Sequence, residues 1–292
     1  MLDLVVVILN YNTRDLLREC LRSLREQTGL AFKTIVVDNC STDASADMVA
    51  AEFPEVELIR SQTNGGFAHG NNLGLRSAGF GVGEVASARH AMLLNPDTVV
   101  PPNALSQMVA FADANPDVGV VGPRLLLLDG TLDKACRRSF PTPEVSFYRF
   151  SGLGKLFPKS KRFGRYNMTY LPETQTADVD SVVGACMLVR ADAIAKAGLL
   201  DEQFFMYGED LDWCLRVKQA GYRVVYLADV IVHHKKRAAS RTSAKAQYEF
   251  QRAMWLFYKK HYLAATSAPV NVLVKVGLGL RGGKKLWDEM NG

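Results

Sequence analysis

The sequence predicts an α/β fold, a mainly parallel mixed sheet flanked by helices with a C-terminal helical extension. Short β-branched apolar runs alternate with helix-length amphipathic segments through the first half. Several of those runs end in polar or Pro-containing segments, as strands do where they leave a sheet. The last fifty or so residues alternate aromatic and basic residues, a composition suited to helices docked on a core.

Leu4 to Leu9 is the first strand, followed by Asn10-Tyr11-Asn12 and a helix with Thr13 as its N-cap and Leu16, Leu17, Cys20, Leu21 and Leu24 on one face. Thr34 to Val37 is a second strand ending in Asp38-Asn39-Cys40-Ser41, with a helix starting near Thr42 or Asp43. Val56 to Ile59 is a third, leading into the Gly/Asn-rich turn Asn64–Asn72 and a short helix. The Ala91–Leu94 strand, the Pro102–Ala114 helix and the Val118–Val121 strand complete the first half. Strands separated by helices of this length imply right-handed βαβ units. Residues 129–180 read as loops with short strands. Val182 to Val189 is a strand, Ala191 to Ala197 a short helix and Asp210 to Ala220 an amphipathic helix. Arg223–Leu227 and Val230–Val232 are two more strands, ending in His233-His234.

At 292 residues the chain is long enough for one large domain or two small ones. Its five cysteines are odd in number and scattered, with no Cys-x-x-Cys pair, which argues against a disulfide framework or a zinc site. Met1-Leu2-Asp3-Leu4 lacks a basic leader, and no run approaches the roughly 20 apolar residues of a membrane span; a cytoplasmic protein is expected. The net charge of +5 is unevenly spread. Six basic residues and no acid lie between Arg149 and Tyr166, and eight Lys/Arg face the single acid Glu249 between Lys235 and His261. Such stretches suit an anionic partner: phosphate groups, a membrane surface or nucleic acid.

Polar residues stand at the carboxyl ends of three strands: Asn10-Tyr11-Asn12, Asp38 and Asn95-Pro96-Asp97. On one parallel sheet such ends converge on a single crevice, the usual place for a nucleotide. Tyr11 has a face to stack on a base or to pack under a loop, and Asp38 has oxygens for a ribose or base, or for a local turn with Ser41. Asp97 is a carboxylate able to hold a divalent cation against a diphosphate, on a turn that is also a common structural corner. Gly208 precedes Glu209-Asp210-Leu211-Asp212-Trp213, where the acids either compensate a helix dipole or supply a general base. His233 at a strand end is a potential metal ligand or a solvated residue. No Gly-x-x-x-x-Gly-Lys-Ser/Thr occurs, and the first strand leads into no glycine-rich fingerprint.

Six segments in order resemble the family 2 inverting glycosyltransferases of the GT-A fold, particularly the bacterial rhamnosyltransferase-like branch. They are Val5–Asn12, Val36–Asp43, Asn64–Gly74, Leu94–Asp97, Gly184–Arg190 and Gly208–Arg216. The resemblance implies a GT-A domain over 1–240, with a nucleotide-sugar half to about 125 and an acceptor half beyond it, and an extension over 241–292. It implies that Tyr11 and Asp38, with the Asn71 region, hold a nucleotide sugar. Asp97 then matches the last acid of the Asp-x-Asp motif that binds Mg²⁺ or Mn²⁺, beside Asn95. Asp210 matches the catalytic base, with Glu209 next to it, and His233 a strand-end histidine that reaches the metal or diphosphate. Asn95 stands where relatives carry the first acid, and Lys235-Lys236-Arg237 replaces a Gly-rich turn.

The function expected from this resemblance is transfer of a sugar in cell-surface polysaccharide synthesis. L-Rhamnose from dTDP-L-rhamnose is the leading donor and a UDP-sugar the alternative; the acceptor is a glycan or a polyprenyl-linked glycan. The 149–166 stretch and Trp255, Phe257, Tyr258, Lys259, Lys260 and Tyr262 suggest peripheral contact with an anionic membrane. A nucleotidyltransferase would want a Gly-rich basic loop after the first strand, and a nucleic-acid-binding protein a recognisable module; the sequence supplies neither, and no nucleic-acid partner is expected.

Overall fold

The computed structural model describes residues 1–236 and 244–291. Four parallel strands form one half of a single sheet: β1 (Leu2–Asn10), β2 (Phe32–Asp38), β3 (Glu57–Arg60) and β4 (Ala88–Leu94), in spatial order β3-β2-β1-β4. Beyond β4 the sheet continues through β8 (Cys186–Arg190), antiparallel to its neighbours, then β6 (Val118–Leu126) and β9 (Arg223–His234), which are parallel to each other. Two-residue strands β5 (Thr98–Val99) and β7 (Ala177–Asp178) pair antiparallel with β9. The expected mainly parallel, mixed sheet flanked by helices is therefore present.

The sheet is buried on both faces. Leu4 through Ile8 are fully inaccessible, as are Ile35 to Val37, which is why these strands read as continuous apolar runs and not as alternating ones. Each such side chain contributes about 1.5–3 kcal/mol on burial. The covering helices include α1 (Arg14–Arg25), α2 (Ser45–Glu52), α3 (Gly66–Ser77) and α4 (Ala104–Ala114). Helix α3 starts earlier than the Gly/Asn-rich segment suggests: Gly66, Gly70, Asn71 and Asn72 are helical. Its glycines permit close approach to β1, because a Cβ on Gly74 would lie 2.5 Å from Val7 Cγ1. Thr13 takes the N-cap position of α1, but its hydroxyl donates to Asn10 Oδ1 at 2.6 Å and caps no helix N–H.

The second half departs further from expectation. Residues 143–156 contain α5 (Pro143–Phe150) and α6 (Leu153–Leu156), where loops and short strands were expected. Helix α7 (Ala191–Ala197) and helix α8 (Glu209–Gln219) fall as expected, whereas the two strands over 223–232 are one continuous β9, irregular where its pairing with β6 slips between Pro123 and Arg124.

Helix α9 (Ala244–His261) places Ala253 and Phe257 in the main core, with the Phe257 ring 6.2 Å from that of Phe140. Helix α10 (Ala268–Asn291) packs Leu278, Leu286 and Met290 against Trp255 and Tyr258. Trp255, Phe257 and Tyr258 are thus buried, not presented to a membrane: helical periodicity points them inward while Lys259 faces out. The expected boundary at 240/241, Arg237 and Ser243 lie outside the described residues. All five cysteines are free. Among the described residues no helix is long and apolar enough to cross a membrane.

Gly74→Ala tests the close packing of α3. The gain in helix propensity, about 1 kcal/mol, is expected to lose to the clash with branched, fully buried Val7, giving a net loss of about 1–2 kcal/mol. Thermal denaturation showing an unchanged or raised Tm would contradict this packing.

Candidate active site

The site lies where β1, β2 and β4 end. Asn10 and Asp38 are partners in the β1–β2 register. Asn10 Nδ2 donates to Asp38 Oδ1 at 2.9 Å, while Asp38 Oδ2 accepts from the Ser41 amide at 3.0 Å. Asp38 therefore also closes a local turn, and each of its oxygens keeps a second lone pair. Thr13, bonded to Asn10, lines the adjoining cleft, so Asp38, Asn10 and Thr13 form one hydrogen-bonded chain leading into it. Tyr11 is about half exposed at the same edge. Asn71 is buried in α3, where its amide donates to Phe67 O at 2.9 Å. Tyr11, Asp38 and Asn71 do not line the cleft itself.

Asn95-Pro96-Asp97 follows β4 as a turn. The Asn95 amide donates to Ala185 O at 2.8 Å, and the Thr98 hydroxyl to Asn95 O at 2.7 Å. The small strand β5 then clips the turn onto β9 by pairing Thr98 with His234. Strand alternation decides which histidine enters: His233 is exposed, whereas His234 is buried and faces Asp97. The site expected for His233 is thus taken by His234.

His234 Nδ1 lies 3.0 Å from Asp133 Oδ2, and its Nε2 lies 3.3 Å from Asp97 Oδ1. Burial alone would lower the imidazole pKa, but the hydrogen bonds and charges of Asp133 and Asp97 raise it. Lys236 Nζ completes the chain with two contacts to Asp133, at 2.9 and 2.8 Å. Burial of Asp133 is likewise outweighed by His234 and Lys236, which hold it well below the usual carboxylate range.

With both ring nitrogens turned to carboxylates, His234 orients Asp97 instead of offering a lone pair. Asp97 Oδ1 is buried and has no well-formed hydrogen bond among the described residues. Nor do three or more His, Cys, Asp or Glu side chains converge on a ready-made cation cage among those residues. Asp97 lines the cleft, and a carboxylate there fits a divalent cation whose remaining ligands are phosphate oxygens and water.

The first turn of α8 lines the same cleft. Two consecutive left-handed residues, Tyr207 (φ 72°) and Gly208 (φ 79°), turn the chain sharply into the helix. Asp210 Oδ2 accepts from Arg138 Nη2 at 2.7 Å and from the Gly184 amide at 3.2 Å, and Oδ1 accepts from the Leu211 amide at 2.7 Å. Arg138 is itself buried and also donates to Val182 O at 2.7 Å.

Glu209 is buried beside this pair, and its Oε2 has no hydrogen-bond partner among the described residues. Burial, reinforced by the Asp210 charge, raises its pKa well above the usual carboxylate range. Asp212, the third acid of the cluster, points the other way and is fully buried. There it meets His261 and Lys260 of α9, each at 2.8 Å, and Arg216 at 2.8 Å. Burial opposes its charge, but these partners bring its pKa down to about 2. The acidic cluster therefore divides into two acids at the cleft and one structural acid that ties α8 to α9.

Asn95, Asp97, Glu209 and Asp210 line a single cleft of about 850 Å³. So do Asp133, Arg138, His234 and Lys236, of which only the His233-His234 and Lys235-Lys236 pairs drew attention in the sequence. A signal for Asp133 was present: Asp129-Gly130 between Leu126 and Leu132 is a hairpin turn, and those two leucines form an antiparallel bridge. Nothing local marks Arg138, whose partner is 72 residues away.

Glu209→Gln removes an ionisation that the fold opposes. An unfolded glutamate titrates near about 4.3, and the folded group titrates higher. The stability linked to its neutral form is complete below the unfolded value and is lost as pH rises through the folded value. The Tm of wild type is therefore expected to fall relative to the variant as pH rises from about 4 to about 9. A Tm difference independent of pH would show that Glu209 is not perturbed.

A family model described as "Glycosyltransferase like family 2" matches residues 3–257. The chain is 26% identical, over 95% of its length and 91% of the relative's, to an N-acetylglucosaminyl-diphospho-decaprenol L-rhamnosyltransferase of Mycobacterium tuberculosis. It is 23% identical, over 91% of its length and 76% of the relative's, to the low-salt glycan biosynthesis hexosyltransferase Agl10 of Haloferax volcanii. Among solved structures it superposes on S. aureus TarS with a TM-score of 0.58 at 16% identity, covering 95% of this chain and 69% of that one. It also superposes on the mannosyltransferase PcManGT of Pyrobaculum calidifontis, in complex with GDP-Man and Mn²⁺, with a TM-score of 0.57 at 17% identity, covering 100% and 81%. The fold is thus the GT-A fold expected from the six segments, and the chain belongs to the family 2 glycosyltransferases.

Proposed function

We propose that this glycosyltransferase moves a sugar from a nucleotide-diphosphate donor to a lipid-linked glycan acceptor with inversion at the anomeric carbon. The observation that carries the reading is the placement of Asp97 and the Glu209–Asp210 pair in the lining of one cleft. The donor's base and ribose belong at Tyr11 and Asp38, at the neighbouring strand ends, with Asn71 supporting the segment behind them. Asp97, beside Asn95 and oriented by His234, would hold Mg²⁺ or Mn²⁺ on the diphosphate. When bound, that cation neutralises charge developing on the leaving group. The Lys236 ammonium, bound to Asp133 in the same cleft, adds to the same field.

In the proposed step the acceptor hydroxyl oxygen bonds to the anomeric carbon as the carbon–oxygen bond to the diphosphate breaks. The hydroxyl proton passes to Asp210, and the nucleoside diphosphate leaves. Arg138 and the Gly184 amide fix the Asp210 carboxylate in one orientation. Glu209, with its raised pKa, stays protonated at neutral pH and adds no second negative charge beside the base.

Similarity to the Mycobacterium tuberculosis rhamnosyltransferase over nearly the whole chain supports dTDP-L-rhamnose as donor and a polyprenyl-diphosphate-linked sugar as acceptor. A UDP-sugar donor is the second reading, supported by the TarS structure in complex with UDP.

Two measurements test this function. A thermal-shift panel of dTDP-, UDP- and GDP-sugars, with and without Mn²⁺, is expected to show metal-dependent stabilisation by one donor class, lost in Asp97→Asn. Stabilisation by none would overturn the reading. Asp210→Asn is expected to lower transfer at least about 100-fold while donor stabilisation persists. A larger loss in Glu209→Gln would move the base to Glu209.

A further inference from the structure

Two exposed apolar strips meet at the mouth of the cleft. Helix α10 breaks at Gly283 (φ 75°, ψ −174°). Leu278 before the break and Leu286 and Met290 after it satisfy the packing against α9, yet the part before the break carries a second apolar face: Val272, Leu273, Val276 and Leu280, the last 83% exposed. On α5 and α6 and just beyond them, Phe147, Phe150, Leu156 and Phe157 are also exposed. The two elements touch where the Arg281 guanidinium of α10 lies 4.2 Å over the Phe150 ring. Exposed apolar area of this extent on a folded chain marks an interaction surface.

The charges around it name the partner. Lys155, Lys159, Lys161 and Arg165 border one strip, and Lys284 and Lys285 the other; all are exposed. Nearby acids are largely engaged: Glu144 by Arg162 and Tyr148, and Glu289 by Arg252 and Tyr248. A helix with one face packed, an apolar face outward and lysines at its margins has the composition of an interfacial helix. A second copy of this chain would set like charges against each other across the contact.

We propose that the α5–α6 and α10 surface seats the enzyme on an anionic phospholipid bilayer, with the cleft mouth held at headgroup level. Arg149 and Arg281 line the cleft from this same side, where they would meet the phosphates of an acceptor anchored in that bilayer. The orientation rests on the lipid-linked acceptor proposed above. The expected membrane-contacting aromatics of α9 are buried, and the contact moves instead to α10.

The test is flotation of the full chain with phosphatidylcholine vesicles, with and without phosphatidylglycerol. Wild type is expected to float only with the anionic vesicles and to be released by high salt. Leu273→Asp with Leu280→Asp, or Lys284→Glu with Lys285→Glu, is expected to reduce flotation about tenfold or more without lowering Tm. The same variants should keep donor stabilisation and transfer to a water-soluble acceptor, while losing transfer to an acceptor embedded in vesicles. Wild type that stays unbound, variants that float like wild type, or sedimentation showing a dimer broken by these substitutions would overturn the proposal. Flotation decides the docking surface and nucleotide-sugar stabilisation decides the function, so failure of either is visible apart from the other.

Discussion

Burial of the central strands on both faces is the constraint from which the site follows. β1 has parallel neighbours on both sides and helices above and below, so Leu4 to Ile8 are sealed from water. Polar side chains in that run would be costly, and chemistry is confined to the strand ends. The β1–β2 register then sets Asn10 beside Asp38, while β1–β4 pairing through Ile8 and Leu94 brings Asn95 to the same edge. Sites of this fold cluster at one edge because the layers leave no other place for them.

The α8 part of the cleft depends on a buried ion pair. Removing two charges from water is expensive, and an Arg–carboxylate pair offsets that only with good geometry and further hydrogen bonds. Arg138 and Asp210 have both, through Val182 O, the Gly184 amide and the Leu211 amide. The pair joins three segments far apart in sequence: the stretch after β6, the turn before β8 and the start of α8. Such a pair is weak evidence for stability, but it fixes one orientation of the carboxylate, which proton transfer requires.

Charge is arranged the same way around Asp97. Asp133 holds His234, and His234 faces Asp97. Asp133, His234 and Asp97 stand in line, and the contact of His234 with Asp97 Oδ1 orients that carboxylate in the cleft lining. Asn95 brings no charge to this edge. The Lys236 ammonium adds positive charge here, which favours an anionic diphosphate.

The sequence by itself determined the sheet. Runs such as Val5–Ile8 and Ile35–Val37 are buried on both faces, and that burial is written in composition alone. Asn10, Asp38 and Asp97 were legible for the related reason that strand-end polar residues have only one place to go. The choice between His233 and His234 was not legible, because it depends on the pairing of a two-residue strand that no local pattern announces. Nor was the division of Glu209, Asp210 and Asp212 into cleft and structural acids, since Arg138 and His261 reach them from 72 and 49 residues away. The aromatic–basic pattern after residue 243 marked a helix. Only packing decided that Trp255, Phe257 and Tyr258 turn inward while α10 keeps an apolar face to solvent. Periodicity specifies that a helix has two sides, but which side is buried is set by what the rest of the chain brings against it.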